Sequence, residues 1–288
     1  MAEQINRQQK KWEAAALLRE AQVPPRQMTA FYLLLVLVLD IINAFDFNSI
    51  LGSFVAVFIS ILCMLLAIVL KAGLTLYFMA IRRGEHAEFL TVFDGFSMVG
   101  KLIALDIVTS FFILLWSMLF VIPGIIASYR YRFAEYNLLE NPDLGIMEAI
   151  RMSKQQTYGY KSQLFLLDLT YWGWNILSSL PTIILNGYIS GHYAFQASVD
   201  AAVNYAGLLG PSTVTLYLGI PGIVWVIFQG LWSLVVAMFY LPQFRCVDLA
   251  YFETAKRTSR IGTNVPPPED DGYGGYGGWK GPDGLGGL

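Results

Sequence analysis

Six ionisable residues stand well inside otherwise apolar stretches of this chain, Lys71, Asp106, Arg130, Arg132, Glu135 and Asp168, with Asp40 set aside because it lies near the outer end of its own stretch. Three are acids and three are bases, so their formal charges cancel. An unpaired charge in hydrocarbon costs at least ~2.5–3.5 kcal/mol, which makes mutual pairing the expected arrangement. Two roles fit such a set. The ions, with the nearby Tyr129, Tyr131 and Tyr136, can fix helix registry and orientation. Alternatively they line a polar cavity that admits an ion, a lipid headgroup or a peptide.

Other chemistry finds no support in the residue pattern. His86 lies between Glu85 and Glu88 but has no second histidine at HExxH spacing, and His192 stands alone. Cys63 and Cys246 supply neither a disulfide framework nor a zinc site. Ser153, Ser178 and Ser179 have no base beside them, and the glycine-rich GYGGYGG at 272–278 lacks the flanking strand and helix of a phosphate cradle. No catalytic, cofactor or metal site is expected, and the chain reads as non-enzymatic. Nucleic-acid binding is excluded as an expectation, because no dense basic patch lies away from the apolar stretches.

The elements that must carry these charges follow from composition. The chain has 288 residues, 56% of them hydrophobic, with mean hydropathy +0.52 and only 14% charged. Soluble domains are about a quarter charged, so an all-α polytopic membrane bundle is expected instead. Apolar runs occupy about Met28–Phe45, Phe54–Ala80, Leu102–Ile122, Ser162–Leu185 and Ser212–Leu241, the last interrupted by Gly219, Pro221 and Gly222. Each approaches the ~20 residues that cross a ~30 Å hydrocarbon core as a helix. The first begins after too long a polar segment to be a cleavable signal.

Charge distribution sets the topology. Outside the candidate spans, Lys and Arg fall at Arg7, Lys10, Lys11, Arg19 and Arg26, then Arg82, Arg83 and Lys101, then Arg151, Lys154 and Lys161, then Arg245, Lys256, Arg257, Arg260 and Lys280. The connections at 46–53 and 186–211 carry none. Cytoplasmic segments hold the Lys/Arg excess. Five spans would put the second and third groups on opposite sides. Six spans bring every group to the cytoplasm, if the chain turns at Pro123-Gly124 and returns as a helix over about 124–141; the competing reading extends the third helix into the cytoplasm. Counted from the inner ends, Asp106 then lies near the start of its span, Glu135 and Asp168 about two turns in, Lys71 and Arg132 deeper, and Arg130 above them.

Three domains are expected: an N-terminal cytoplasmic or interfacial helix over 1–27, the transmembrane bundle over 28–260, and a disordered Gly/Pro-rich tail over 261–288. In the first, Ile5, Trp12, Ala16 and Leu17 form the apolar face. Phe89, Val92, Phe93 and Phe96 predict an amphipathic interfacial helix. A short helix over 142–161, capped by Asp143, presents Ile146, Met147 and Ile150. The segment at 186–211 reads as an outer loop.

The order of residues in three segments resembles a known family. Leu114 to Tyr136 holds Trp116, Pro123-Gly124-Ile125, Tyr131 and Tyr136; Glu140 to Lys154 holds Asn141-Pro142, Glu148-Ala149-Ile150 and Ser153; Lys161 to Trp174 holds Leu164-Phe165-Leu166 and Trp174. Upstream, Arg83-Gly84-Glu85 and Asp94-Gly95-Phe96 also fit. Together they resemble the bacterial integral membrane family catalogued as domain of unknown function 975. More distantly they resemble the membrane domain attached to some glycerophosphodiester phosphodiesterases. Where the family has Pro-Tyr after the last span, this chain has Pro242-Gln243. The resemblance implies a helical bundle in a bacterial cell membrane with no established activity, and it assigns no catalytic residues. The expected partners are the bilayer and a membrane or envelope component: a protein, a lipid or a peptide. Transport through the buried charges is the alternative.

Overall fold

The computed structural model describes residues 3–44, 50–200 and 222–261. The expected turn at 46–49, the interruption at Gly219 and Pro221, and the tail from 262 lie outside the described residues. Every element described is helical: α1 (Arg7–Glu20), α2 (Pro25–Asn43), α3 (Ile50–Arg83), a 3-10 helix η1 (Phe89–Met98), α4 (Val99–Leu119), α5 (Val121–Tyr131), α6 (Ala134–Glu140), α7 (Ile146–Gln156), α8 (Lys161–Asp200) and α9 (Gly222–Ser259). The protein is an all-α bundle. Among the described residues, four stretches are long and apolar enough to cross a bilayer: Pro25–Asn43, Phe54–Arg83, Phe89–Leu119 and Val224–Ser259.

Burial divides the bundle into two zones. Tyr77, Phe78, Phe133, Leu138, Ile150 and Tyr251 are fully enclosed where the C-terminal parts of α3 and α9 meet α6 and α7. Toward the other end, Phe54, Phe58, Phe111, Phe120, Ile184 and Phe239 are exposed. An apolar exposed rim of this extent marks a lipid-facing surface. Near the packed end sit the ion pairs Arg82–Glu253, Arg83–Glu140 and Lys256–Glu140. The protein is therefore embedded in a membrane by its apolar half.

The chain does double back after α4, but three residues earlier than expected. The break is at Phe120, whose φ of −161° and ψ of 155° are fully extended. Pro123 falls in the first turn of α5, where its missing N–H leaves no hydrogen bond unmade. Gly124 then lies against Ser117, so closely that a Cβ there would meet Ser117 Oγ at 2.0 Å. Phe112 meets Tyr131 farther along, with ring centroids 5.9 Å apart. Those two contacts fix α4 and α5 as an antiparallel hairpin.

Four further expectations are corrected. The 89–98 segment is a 3-10 helix, and its inward side follows a period of three: Val92 and Gly95 are buried, while Phe89, Phe93 and Phe96 form an exposed fringe. The tight winding follows from contact with α3, since a Cβ on Gly73 would sit 1.8 Å from the Val92 carbonyl oxygen and one on Gly95 2.5 Å from that of Val69. In α1 the packed side is Ala14, Leu17, Leu18 and Ala21, whereas Trp12 and Ala16 face outward. Helix α7 starts at Gly145 without a side-chain cap, and it turns Ala149, Ile150, Ser153 and Gln156 inward while Met147 is exposed. Finally, the backbone past Leu185 stays helical to Asp200, because Ile184, Leu185, Tyr188 and Ile189 prolong the apolar helical spacing that lack of charge had disguised as a loop.

Candidate functional site

The break between α5 and α6 positions the central cation. At Arg132 and Phe133 the helical ladder lapses. Its freed groups are taken up by α7: the Phe133 N–H donates to Ser153 Oγ at 3.1 Å, and the Arg130 carbonyl accepts from Ser153 Oγ at 2.9 Å and Thr157 Oγ1 at 3.3 Å. Ser153 and Thr157 are fully buried, so water does not compete for these bonds. Around the break, Arg132 turns into the bundle.

Arg132 grips Asp168 of α8 in a fork, Nη1 to Oδ2 at 2.7 Å and Nη2 to Oδ1 at 3.0 Å. The same Nη2 lies 3.0 Å from Oδ1 of Asp248 in α9, in ion-pair range but without an aligned N–H. Asp248 is 2% exposed, and its other oxygen accepts from the Tyr136 hydroxyl at 2.5 Å. Tyr129 donates to Asp168 Oδ2 at 2.8 Å. The guanidinium carbon is 5.8 Å from the centroid of Tyr129 and 5.7 Å from that of Phe244, which adds cation–π attraction. A planar cation with a fork of donors suits this bidentate, ring-flanked site in a way Lys could not.

Beside this network, Lys71 of α3 pairs with Glu135 of α6 at 2.8 Å. Lys71 is about 16 Å of helix from Arg82, and Asp168 about 10 Å from Lys161, so the cluster lies well inside the ends marked by flanking charges. Of the residues singled out from sequence, the structure brings together Lys71, Arg132, Glu135 and Asp168. Asp106 of α4 lines the same cavity but, among the described residues, makes no hydrogen bond through its carboxylate and no ion pair.

Arg130 stands apart. Residues two apart on a helix point about 200° away from each other, so Arg130 and Arg132 do not share a face. Arg130 instead approaches Lys161, whose ammonium is pushed below its ordinary pKa by burial first and by this guanidinium second. Two members were missed. Asp248 and Arg245 both lie on α9, which continues through Pro242 to Ser259 instead of ending at Leu241. Arg245, expected in the cytoplasmic flank, has no hydrogen bond or ion pair among the described residues, and its Nε is buried. The signal for Asp248 was present: an acid embedded in Cys246-Val247-Asp248-Leu249-Ala250-Tyr251-Phe252.

Two spaces flank Arg132 and Phe244. On one side is a cavity of about 390 Å³ whose charged walls are Lys71, Asp106, Arg132, Glu135, Arg245 and Asp248. On the other is a groove of about 560 Å³ lined mainly by Tyr129, Phe165, Tyr171, Trp172, Tyr240 and Phe244. Asn175 and Tyr240 are joined there by a 2.9 Å bond, and Trp174 stacks on Tyr240 at 5.9 Å. Among the described residues no group of three His, Cys, Asp or Glu side chains could hold a metal ion.

No curated protein and no solved structure matches the chain. Residues 118–258 match the model of a family described as protein of unknown function (DUF975), and that stretch carries Arg132, Glu135, Ser153, Asp168, Arg245 and Asp248, with Lys71 and Asp106 outside it. Over these residues, which hold the α5–α6 break and the whole Arg132 network, the chain is similar to that family of unknown function.

Proposed function

We propose that this protein is a non-enzymatic module of a bacterial cell membrane that binds another envelope component, a lipid, a peptide or a membrane protein, in the aromatic groove between α5, α8 and α9. The observation that carries the reading is the groove itself: about 560 Å³, faced by aromatic rings, with the Arg132–Asp168 pair at its wall. Ligand sites are concave, largely apolar and supplied with a few fixed polar groups, and this groove has that composition. The ions beside it are engaged with one another, which suits holding a shape better than moving protons.

The accompanying topology is six spans with both termini cytoplasmic. Two facts support it. From Val121 to Glu140 the α5–α6 unit has about 30 Å of reach, enough to recross the hydrocarbon core after the break at Phe120. Arg132, on this unit, is shielded by Asp168 and Asp248.

Photocrosslinking tests the binding reading. A photoreactive residue at Trp172, which is exposed in the groove, is compared in native membranes with one at Phe111, exposed on α4 away from it. A discrete adduct at 172 absent at 111 supports the reading; the same bulk-lipid adducts at both positions refute it. Transport is a second reading, favoured by the helix break at Arg132 beside the 390 Å³ cavity. It requires a flux that disappears when Asp106 is neutralised in a protein that still folds.

A further inference from the structure

The polar cavity on the far side of Arg132 and Phe244 has an unusual charge inventory. Of its six ionic walls, four are committed: Lys71 to Glu135 at 2.8 Å, and Arg132 to Asp248 at 3.0 Å. Two are not. Among the described residues, Asp106 and Arg245 each make no ion pair and no side-chain hydrogen bond, although their charges are opposite and both line one cavity. They are held apart by α4 on one side and α9 on the other, with space between. Three atoms of the lining residues are buried without a hydrogen-bond partner: Nε of Arg245, a donor, and Oε1 of Glu135 and Oδ1 of Asp248, acceptors, the last within ion-pair range of Arg132. Buried donors and acceptors are satisfied in nearly all native structures, so each orphan asks what completes it.

A simple anion would answer Arg245 and leave Asp106 facing like charge. A simple cation would do the reverse. A single group carrying both charges answers both. Because Asp106 and the free Glu135 oxygen are acceptors only, the cationic end must bring N–H donors, which a primary ammonium has and a quaternary one lacks. Because Arg245 presents a planar fork of donors, the anionic end is best met by a phosphate or carboxylate. The cavity also has apolar walls at Ile68, Ile113 and Phe244 and sits in the membrane-embedded part of the bundle. We propose that this cavity holds the headgroup of a membrane lipid bearing a primary ammonium and a phosphodiester, with Asp106 and Glu135 receiving the ammonium and Arg245 the phosphate. The assignment goes beyond the binding reading above, because it concerns a second space that Arg132 and Phe244 separate from the aromatic groove.

The test uses the full chain, stripped of lipid in detergent and offered phosphatidylethanolamine, phosphatidylcholine and phosphatidylglycerol with identical acyl chains, retention being read by native mass spectrometry. Phosphatidylethanolamine is expected to be retained on the order of tenfold better than the other two, a difference of one charge-assisted contact. Asp106→Asn is expected to bring that preference to within about twofold, and Arg245→Gln to weaken all three lipids together. Folding is controlled internally, because removing an unpaired, half-buried charge should leave lipid-free Asp106→Asn at least as heat-stable as the parent protein. Equal retention of the three lipids by the parent protein, or an unchanged preference in Asp106→Asn, overturns the proposal. So does an equal thermal shift with free phosphoethanolamine, which would point to a soluble zwitterion. A specific adduct at Trp172 without lipid preference would sink this assignment and leave the binding reading intact; absence of both would sink both.

Discussion

Replacing Arg132 with Met is the sharpest test of the packed end of the bundle. The guanidinium has two bonds to Asp168 and an ion pair with Asp248, which is 2% exposed. Met keeps much of the side-chain volume between Tyr129 and Phe244 but removes the charge. Asp248 is then left with the Tyr136 hydroxyl and with Arg245, which does not reach it in ion-pair range. Breaking a buried pair from one side costs about 3–5 kcal/mol. Lys71→Met should cost only about 1 kcal/mol, because Lys71 and Glu135 both open onto the cavity and keep some solvation.

Cys246 provides the readout. It is fully buried two residues from Asp248, while Cys63 is partly exposed and is removed as Cys63→Ala. Modification of Cys246 by a thiol reagent then reports opening of the helix core, in the regime where reclosing is fast relative to reaction. At about 1.4 kcal/mol per tenfold, Arg132→Met should accelerate labelling by roughly two to three and a half orders of magnitude, and Lys71→Met by less than about tenfold. Adding Asp168→Leu and Asp248→Leu to Arg132→Met should recover most of the loss, since the orphaned acids are then gone. Labelling within tenfold of the parent protein for Arg132→Met, or equal acceleration by Lys71→Met, would refute the view that Arg132 closes a buried ion network.

Three other outcomes are expected. Ser153→Ala strands the Phe133 N–H and weakens the hold on the Arg130 carbonyl, so it should cost about 1–3 kcal/mol and raise Cys246 labelling accordingly. Gly73→Ala should prevent η1 from seating on α3 and sharply lower folded yield in size-exclusion chromatography, whereas Gly100→Ala, which meets nothing within 4 Å, should be tolerated. A cysteine at Val121, in a chain lacking Cys63 and Cys246, should react with an impermeant maleimide added outside intact cells, and one at Tyr158 only after permeabilisation; the reverse pattern would defeat the six-span topology.

The helical class, the apolar elements and the hairpin after α4 were legible because hydropathy and the positions of Lys and Arg are properties of residues in order. What was not legible depends on neighbours. Pro123-Gly124 marks the turn region, yet the backbone extends at Phe120, because a proline is at ease in the first turn of a helix and Gly124 is required for contact with Ser117. Phe89, Val92, Phe93 and Phe96 fit a 3.6-residue period, but the approach of Gly73 and Gly95 winds the segment to three residues per turn. Of the six ionisable residues named from sequence, Lys71, Asp106, Arg132, Glu135 and Asp168 line the Arg132 network or the cavity beside it. Arg130 was included because sequence gives proximity and not direction, and Asp248 and Arg245 were lost because Pro242 resembles a helix end while α9 passes through it.

The two roles posed for the buried charges fall on different residues. Arg132, Asp168 and Asp248 are locked by short bonds, ring contacts and the Ser153-supported break, so their charges are consumed in fixing where α5, α8 and α9 meet. Had the set ended there, with Lys71 and Glu135 as a second closed pair, registry alone would account for it. Including Arg245 and excluding Arg130 changes the balance: three bases, Lys71, Arg132 and Arg245, now face four acids, Asp106, Glu135, Asp168 and Asp248. Internal pairing therefore cannot neutralise the site, because Arg132 alone serves both Asp168 and Asp248, while Asp106 and Arg245 are left, among the described residues, without an ion pair of their own. A closed network that holds a cavity rigid, next to an open pair of opposite charges inside that cavity, is the arrangement in which a structural cluster leaves a binding function at its edge.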